Sequence, residues 1–265
     1  MAEIIGFCNQ KGGVGKTTTA INLAASVAAA EKKTLLIDFD PQSNTSSGLG
    51  FEKNSIESNS YELVVATKSK EIIPQKTALP YLDVIPATSD LVGAEIELVS
   101  MMGREFRLKK ALVPYLETYE YIFIDSPPSL GLLTLNILAA SHCLIVPVQC
   151  EYYALEGITD LMRTIELVQG SLNPDLQVAG VLLTMYDARN NLAHDVEVEL
   201  RNYFGKTVFH TVIPRNVRLS EAPSHGKPVL LYDIKSKGAE SYLQLAQEFL
   251  GRIDAQKSVK VSQVA

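Results

Sequence analysis

Cysteine and tryptophan are scarce in this chain. Its 265 residues include no tryptophan and three cysteines, Cys8, Cys143 and Cys150. An odd number of cysteines, two of them in strand-like apolar runs, favours buried free thiols in a reducing cytosol over a disulfide framework. Because the sequence contains no Cys-x-x-Cys pair and no Cys/His cluster, it also argues against a zinc or iron–sulfur site.

Basic residues are also fewer than acidic residues. There are 24 Lys and Arg residues against 30 Asp and Glu residues, so the formal net charge is −6. This balance excludes a surface that is basic all over, and nucleic-acid binding would need a local basic patch. The apolar fraction of 46% is enough for the core of a single α/β domain of this length.

Long hydrophobic runs are also lacking. Residues 130–148 approach the length of a membrane span, but Asn136, Ser141, His142 and Pro147 interrupt them. We interpret this stretch as a helix, a turn and a buried strand. A glycine-rich segment that begins near residue 10 leaves no room for a signal peptide, so we expect a cytoplasmic protein without a membrane partner.

That glycine-rich segment is the most informative part of the sequence. Residues 10–18 read Gln-Lys-Gly-Gly-Val-Gly-Lys-Thr-Thr, between the apolar residues 4–8 and an alanine-rich stretch at residues 20–30. A strand, a loop and a helix in this order can form a phosphate cradle. The glycines can take positive φ and let backbone N–H groups approach an anion closely; they are Gly12, Gly13 and Gly15.

The residues after the glycines fit the same chemistry. Lys16 and Thr17 open the helix, whose N-terminus carries unpaired N–H groups and the positive end of the helix dipole. We expect Lys16 to reach the β- and γ-phosphates of a nucleotide and the Thr17 hydroxyl to hold Mg²⁺. Thr18 is expected to contact the α-phosphate.

Two apolar runs end in carboxylates. Residues 35–41 form a buried strand with Asp38 and Asp40 at its end, and residues 121–125 form a second one that ends in Asp125. Open α/β sheets bind ligands at the carboxyl ends of their strands. The second run has the form of a Walker B strand, whose carboxylate holds Mg²⁺ through water.

The remaining pattern predicts the fold class. Strands are expected at residues 82–86, 143–148, 178–184 and 208–213, and helical stripes at 104–116, 155–168, 192–203 and 242–253. Strands that alternate with helices predict a single-domain, doubly wound, mostly parallel α/β sheet with helices on both faces. We expect residues 1–254 to form this domain, residues 42–60 to be loop, and the polar tail at 255–265 to be disordered.

Four motifs together closely resemble the chromosomal ParA (Soj-type) partition ATPases, which are P-loop NTPases. The first is the glycine-rich loop, which has Gln10 where the usual pattern has glycine and carries a second lysine, Lys11. The other three are residues 37–42, 124–129 and 213–224. The likeness runs from about residue 3 to residue 253, and the last motif is specific to that branch.

The resemblance implies roles for individual residues. Asp40 would position the attacking water, Asp125 would support Mg²⁺, and Lys11 would cross a homodimer interface to the nucleotide of the other subunit. Catalysis would rest on Lys11, Lys16 and Asp40. The implied ATP contacts are Lys11, Gly12, Gly13, Val14, Gly15, Lys16, Thr17, Thr18, Pro214 and Asn216, with Pro214 and Asn216 at the adenine.

A local cluster of charge supports a DNA-binding role independently. Residues 204–238 contain six basic residues and two acidic ones, Glu221 and Asp233, an excess of +4 in a chain whose net charge is −6. Nothing in the sequence resembles a helix that reads bases, so phosphate contacts should dominate. The resemblance implies DNA contacts at Arg189, Arg218, Lys235 and Lys237, with Arg189 joining the cluster if its loop lies on the same edge. The cluster itself adds Arg215 and Lys227 as candidate contacts, and Lys206 belongs to it too.

These observations predict a nucleoid-associated, ATP-dependent dimerisation switch that binds double-stranded DNA nonspecifically and works with a ParB-type partner. Two alternatives belong to other classes. A MinD-like membrane switch would need bulky apolar anchors in a basic C-terminal helix, whereas residues 257–265 contain two lysines and neither leucine nor an aromatic residue. A metabolic ATP-dependent ligase would need a polar substrate pocket, for which we find no cluster.

Overall fold

A computed structural model describes residues 1–52, 56, 58–66, 72–151 and 154–264, with side chains of the last helix up to residue 257. The described residues form one sheet with the strand order β3-β4-β2-β5-β1-β6-β7. All neighbouring strands are parallel except β3, which pairs antiparallel with β4 at the edge. The strands are β1 (Glu3–Phe7), β2 (Thr34–Asp38), β3 (Gln75–Lys76), β4 (Leu82–Ile85), β5 (Tyr121–Asp125), β6 (Cys143–Gln149) and β7 (Gln177–Thr184).

Helices cover both faces of this sheet. The α-helices are α1 (Lys16–Ala29), α2 (Asn44–Gly48), α3 (Ser60–Val65), α4 (Leu91–Glu97), α5 (Arg107–Ala111), α6 (Leu132–Ala140), α7 (Ala154–Ser171), α8 (Asn191–Phe204), α9 (Val217–Glu221), α10 (Val229–Tyr232) and α11 (Lys237–Val264). The predicted doubly wound α/β fold is therefore confirmed.

The core consists of two layers that the sheet separates. On one face α1 and α11 pack against the sheet, where Phe7, Phe123 and Phe249 meet with neighbouring ring centroids 5.7 Å apart. On the other face, α6 and α7 bring Ile137 and Ile158 into the second layer. The central strands are apolar along nearly their whole length because both of their faces are buried.

Residues 208–213, predicted as a strand, do not form one. The segment contacts β7 through an isolated bridge at Val208 and through two backbone hydrogen bonds, from Phe209 to Val181 and from Ile213 to Leu183, both at 2.9 Å, and Pro214 forms a second bridge with Tyr186. The backbone N–H groups of His210 and Thr211 donate to the carboxylate of Glu248 in α11 at 2.8 and 2.9 Å. Thr211 lies between the two residues that donate to β7, and because its N–H is directed to Glu248 the ladder is interrupted there.

Three other expectations about local structure are wrong. Residues 42–60 contain a helical turn, α2, which polar side chains hold in place, while residues 53–55 and 57 lie outside the described residues. The helix expected at 104–116 is broken into α5 and two 3₁₀ turns, the second of which contains Pro114. The segment 255–265, expected to be disordered, is helical as far as Val264 because it contains neither Gly nor Pro and continues α11.

The stretch at residues 130–148 is helix α6, a turn and strand β6, as the sequence predicts. Within the described part of the chain, none of the helices combines the length and the hydropathy that crossing a membrane requires.

Gly180 provides a test of the packing between β7 and the segment that follows α8. A Cβ at position 180 would clash with the ring of the fully buried Phe209, and the guanidinium of Arg252 covers that ring at 4.2 Å from its centroid. We expect Gly180→Ala to lower the free energy of unfolding by about 1–3 kcal/mol, measured by urea denaturation.

The matched control is Gly251→Ala in α11, where an added Cβ meets nothing within 4 Å. This change should leave the free energy of unfolding unchanged or raise it by up to about 1 kcal/mol, since alanine is the better helix former. Equal stability of the two variants would contradict the described packing around Phe209.

Candidate functional site

The glycine-rich loop connects β1, near the middle of the sheet, to the N-terminus of α1. Gly13 and Gly15 have φ angles of 74° and 86°, in the left-handed region that favours glycine. Because Gly15 caps α1 without a side chain, the first N–H groups of the helix are left for an anion. The backbone therefore forms the cradle that the sequence predicts.

Two buried side chains fix the loop to the sheet. The Asn9 amide donates to the carbonyl of Pro147 in β6 at 2.7 Å, and the Thr184 hydroxyl at the end of β7 donates to the carbonyl of Val14 at 2.8 Å. Both donors are less than 8% exposed. These two bonds hold the loop in a defined conformation, which reduces the entropy that ligand binding must remove.

The loop lines a cavity of about 800 Å³. This volume suits a nucleotide-sized ligand. The walls combine the phosphate loop, the segment after β2 and the segment from Ile213 to the start of α11. Its predicted members are Gly12, Gly13, Gly15, Lys16, Thr17, Thr18, Asp40, Pro214 and Asn216, and Arg215 lies there too.

The two loop lysines occupy different environments. The side chain of Lys16 is 6% exposed, and its ammonium donates to the carbonyl of Lys11 at 3.2 Å. Burial lowers the pKa of Lys16, against the opposing effect of the Asp125 carboxylate. Lys11 does not line the cavity: its side chain is 42% exposed and forms an ion pair with Glu151.

The ends of β2 and β5 place Asp38 and Asp125 side by side, since their Cα atoms are register partners. Both are fully buried. Burial, followed by repulsion from Asp125, raises the pKa of Asp38 to about 7. Asp38 accepts hydrogen bonds from the backbone N–H and the hydroxyl of Ser46 in α2, at 2.8 and 2.6 Å.

Asp125 has the features of a carboxylate that supports a cation. Its Oδ2 accepts from the Thr45 hydroxyl at 2.8 Å, while its buried Oδ1 has no hydrogen-bond partner among the described residues. Burial raises the pKa of Asp125 to about 6, although the Thr45 and Thr17 hydroxyls lower it. Thr17, at the start of α1, thus lies beside the Asp125 carboxylate. Hard oxygen donors of this kind suit Mg²⁺.

Asp40 lies beyond the end of β2 and lines the cavity with 5% of its surface exposed. Its Oδ1 accepts from the Gln42 backbone N–H at 2.9 Å, and burial raises its pKa. Two nearby residues have left-handed backbones although they are not glycine: Ser43, with φ of 58°, and Met185, with φ of 49°. Such backbone strain is found preferentially at functional sites.

The far wall of the cavity is formed by residues 213–217. Asn216 caps α9, and its side-chain oxygen accepts from the Arg218 backbone N–H at 2.9 Å. Its amide NH₂ is the group left for a ligand in the cavity. Pro214 pairs with Tyr186, which places the loop of residues 187–189 beside this wall.

The six basic residues predicted to contact DNA fall into two groups, those on the exposed surface and those beside the cavities. Arg218, Lys235 and Lys237 share an edge, because Arg218 forms ion pairs with Glu221 and with Asp233, the latter at 3.2 Å. Arg189 is bound to Asp187, and Lys237 to Glu240, both at 2.8 Å on the surface. Exposed pairs of this kind are weak and can exchange for a phosphate.

Arg215 and Lys227 lie closer to the nucleotide cavity than the sequence suggests. Arg215 is exposed at the rim of the cavity. Lys227 lines a second cavity of about 290 Å³ together with Thr17 and Thr18. Their assignment to DNA stays a prediction.

Sequence reasoning missed the residues that hold the site together. Asn9 and Thr184 anchor the loop, and Thr45 and Ser46 anchor the carboxylates, through partners 8 to 170 positions away. Ser46 also joins α2 to Ala87 beyond β4, whose N–H donates to its hydroxyl at 2.9 Å. A local motif contains no signal for contacts of this kind.

The comparisons with known proteins agree with this geometry. The AAA domain family matches residues 2–178. The chain is 58% identical over 258 residues to "Chromosome partitioning protein ParA" of Myxococcus xanthus, covering 97% of this chain and 91% of that protein. It is 57% identical over 248 residues to "Sporulation initiation inhibitor protein Soj" of Bacillus subtilis, covering 94% and 98%.

Solved structures with the same fold contain a bound nucleotide analogue. The cobyrinic acid a,c-diamide synthase of Mycobacterium smegmatis, with an ATP analogue and magnesium bound, superposes with a TM-score of 0.84 at 34% identity over 97% of both chains. A putative plasmid partition protein of Borrelia burgdorferi bound to AMPPNP superposes with a TM-score of 0.77 at 25% identity, over 97% of this chain and 100% of that one. These likenesses agree with ATP and Mg²⁺ as the ligands of the cavity.

The names of these proteins differ, since one solved structure is named a synthase and the relative from Myxococcus xanthus is named a chromosome partitioning protein. Sequence identity decides between them, since it is 58% to the partition protein and 34% to the synthase. The chain therefore belongs to the ParA/Soj family of chromosome-partitioning ATPases.

Proposed function

We propose that this chain is an ATP-dependent dimerisation switch that binds DNA nonspecifically, hydrolyses ATP slowly, and moves a chromosome or plasmid with a ParB-type partner. The observation that carries this proposal is the position of Lys11. It stands outside the cavity that Lys16 occupies, although only four residues of the same loop separate the two lysines.

An exposed lysine at this position can serve the nucleotide of another chain. In its own chain Lys11 forms a surface ion pair with Glu151, and ion pairs of this kind are weak. A second subunit placed face to face would let Lys11 leave Glu151 for the much denser charge of a triphosphate. This argument supports a dimer in which two ATP molecules lie between the subunits.

Hydrolysis in this arrangement depends on a few side chains. Lys16 binds the β- and γ-phosphates, Thr17 and Asp125 hold the cation, and Asp40 orients the attacking water. A Mg²⁺ held by Thr17 and Asp125 would supply neutralisation of phosphate charge. Because no arginine finger is supplied, rate enhancement rests on positioning and on Lys11, and we expect slow turnover that a partner and DNA increase.

DNA binding depends on the dimer in this account. One subunit offers few phosphate contacts at the edge around Arg218, Lys235 and Lys237, and the net charge of −6 opposes approach to DNA. Two edges side by side make the second set of contacts effectively intramolecular, which gives a gain of about 10²-fold or more. The ATP-bound dimer would then stay on the nucleoid until the ParB-type partner stimulates hydrolysis.

The first functional prediction concerns the two lysines. Lys16→Ala should weaken ATP binding by at least about tenfold, because it removes the ammonium that faces the phosphates. Lys11→Ala is the control and should leave the affinity of the monomer nearly unchanged. Isothermal titration with ATP and Mg²⁺ measures both, and equal affinities would contradict the assignment of Lys16.

The second prediction separates binding from hydrolysis at Asp40. Asp40→Ala should still bind ATP and should accumulate as a dimer, because Asp40 orients water and does not hold the nucleotide. Asp175→Ala, which alters an exposed carboxylate elsewhere, should behave like the unsubstituted chain. Gel filtration with ATP tests this, and a purely monomeric Asp40→Ala protein would refute the role.

The third prediction concerns Gly12, a position at which neither the backbone conformation nor the neighbouring atoms of the same chain require glycine. Its φ is not positive, and an added Cβ would lie 3.9 Å from Pro128, an ordinary contact. Gly12→Val should therefore fold and bind ATP, yet fail to dimerise because the facing loop of the second subunit leaves no space. Normal dimerisation of this variant would show that the two loops do not meet.

The fourth prediction concerns the DNA edge. Each phosphate contact contributes roughly 0.9 to the slope of log K against log salt, so Arg218→Ala in both subunits should reduce that slope by about 2. The control is Arg163→Ala, an exposed arginine on α7 that is also ion-paired, since it alters the net charge equally. Titrations on two unrelated duplexes should give equal losses for Arg218→Ala. A strong preference for one duplex would mean that bases are read.

A further inference from the structure

An exposed aliphatic residue stands in the middle of the basic edge. Ile234 is 61% exposed, between Asp233 and Lys235 in the turn that connects α10 to α11. Val217, next to Arg218, is 70% exposed. The ion pair between Arg218 and Asp233 brings the start of α9 next to this turn, but Val217 lines the nucleotide cavity and Ile234 does not.

The turn of residues 233–236 holds Ile234 in place. Asp233 Oδ1 accepts from the Lys235 backbone N–H at 3.2 Å, and its Oδ2 lies 3.2 Å from the Arg218 guanidinium. The Asp233 carbonyl accepts from the backbone N–H and the hydroxyl of Ser236 at 3.1 and 2.8 Å. Ile234 thus projects from a turn whose flanking polar groups are bonded, so a defined apolar surface is presented to solvent.

The same surface is anchored to the nucleotide site. The Val229 backbone N–H at the start of α10 donates to the side-chain oxygen of Asn22 in α1 at 2.7 Å. Asn22 is buried in the helix that begins at the phosphate loop. The start of α10, five residues before Ile234, is therefore tied to α1 by a short, buried hydrogen bond.

The charges around Ile234 indicate what it meets. Arg218, Lys235 and Lys237 lie near Ile234 along the chain or through the Asp233 ion pair, and Arg218 and Lys237 are held in exposed ion pairs with carboxylates. Such pairs are weak and can exchange for an anionic ligand, which here would need apolar surface between its charges. In a DNA duplex, sugars and base edges lie between the phosphates, and aliphatic side chains can pack on them. A lipid surface fits less well, because α10 has four residues and an interfacial helix needs a longer apolar face.

We propose that Ile234 packs against the sugars and base edges of bound DNA and contributes a part of the affinity that does not depend on salt. This inference rests on the proposed function, since it adds a contact to the same DNA edge. The charged residues of the edge determine the slope of log K against log salt. Ile234 contributes a part of the binding free energy that is the same at every salt concentration.

The experiment compares Ile234→Ser with the unsubstituted chain, both with Mg²⁺ and a nonhydrolysable ATP analogue, on a fluorescent duplex at several salt concentrations. We expect affinity to fall by about tenfold per dimer at each salt concentration, with an unchanged slope. Ile234→Leu retains the apolar surface and should retain the affinity. Ile96→Ser, which alters an aliphatic residue of α4 that is 75% exposed, should have no effect.

Other outcomes would overturn the inference. Equal affinity of Ile234→Ser and the unsubstituted chain would remove Ile234 from the interface and leave the proposed function intact. A loss confined to binding of anionic phosphatidylglycerol vesicles would assign the residue to a membrane. No duplex binding by the unsubstituted chain would refute the proposed function itself.

Discussion

The site depends on the burial of one positive charge. Lys16 is held almost wholly out of water, with the Lys11 carbonyl as its hydrogen-bond partner. The carboxylates of Asp125 and Asp40 act on it from a distance and do not form an ion pair with it among the described contacts. A buried ammonium without a close counter-ion is unfavourable, and a phosphate removes this penalty when it enters the cradle. The anchors at Asn9 and Thr184 hold the loop that contains the Lys11 carbonyl, the hydrogen-bond partner of Lys16.

The same reasoning extends to the carboxylates on the other side of the loop. Asp38 and Asp125 are buried next to each other, and repulsion between them adds to the cost of keeping both ionised. Hydroxyl and backbone donors from α2 stabilise these two side chains, so α2 is tied to the cation side of the cavity. The short helix that sequence reasoning took for a loop is therefore part of the site.

What the sequence predicts well is what a few adjacent residues determine. The glycine-rich loop, the strand that ends in Asp125 and the fully buried central strands each depend on local composition and spacing. The failures depend on distant partners. Glu248 interrupts the expected strand at residues 208–213 from 35 or more positions away, and the anchoring roles of Thr45 and Thr184 exist only once the sheet has formed. Likewise, the sequence shows how many basic residues lie in the segment predicted to contact DNA, but it does not show their pairing with Glu221, Asp233 and Glu240.

The central claim is that the nucleotide controls assembly, and that assembly controls DNA binding. Analytical ultracentrifugation of the unsubstituted chain with a labelled duplex measures both quantities in one experiment, with Mg²⁺ and either a nonhydrolysable ATP analogue or ADP. The account predicts that DNA-bound species contain pairs of chains with the analogue, and that chains stay monomeric and off the duplex with ADP. Equal binding of monomers to DNA in both nucleotide states would contradict it.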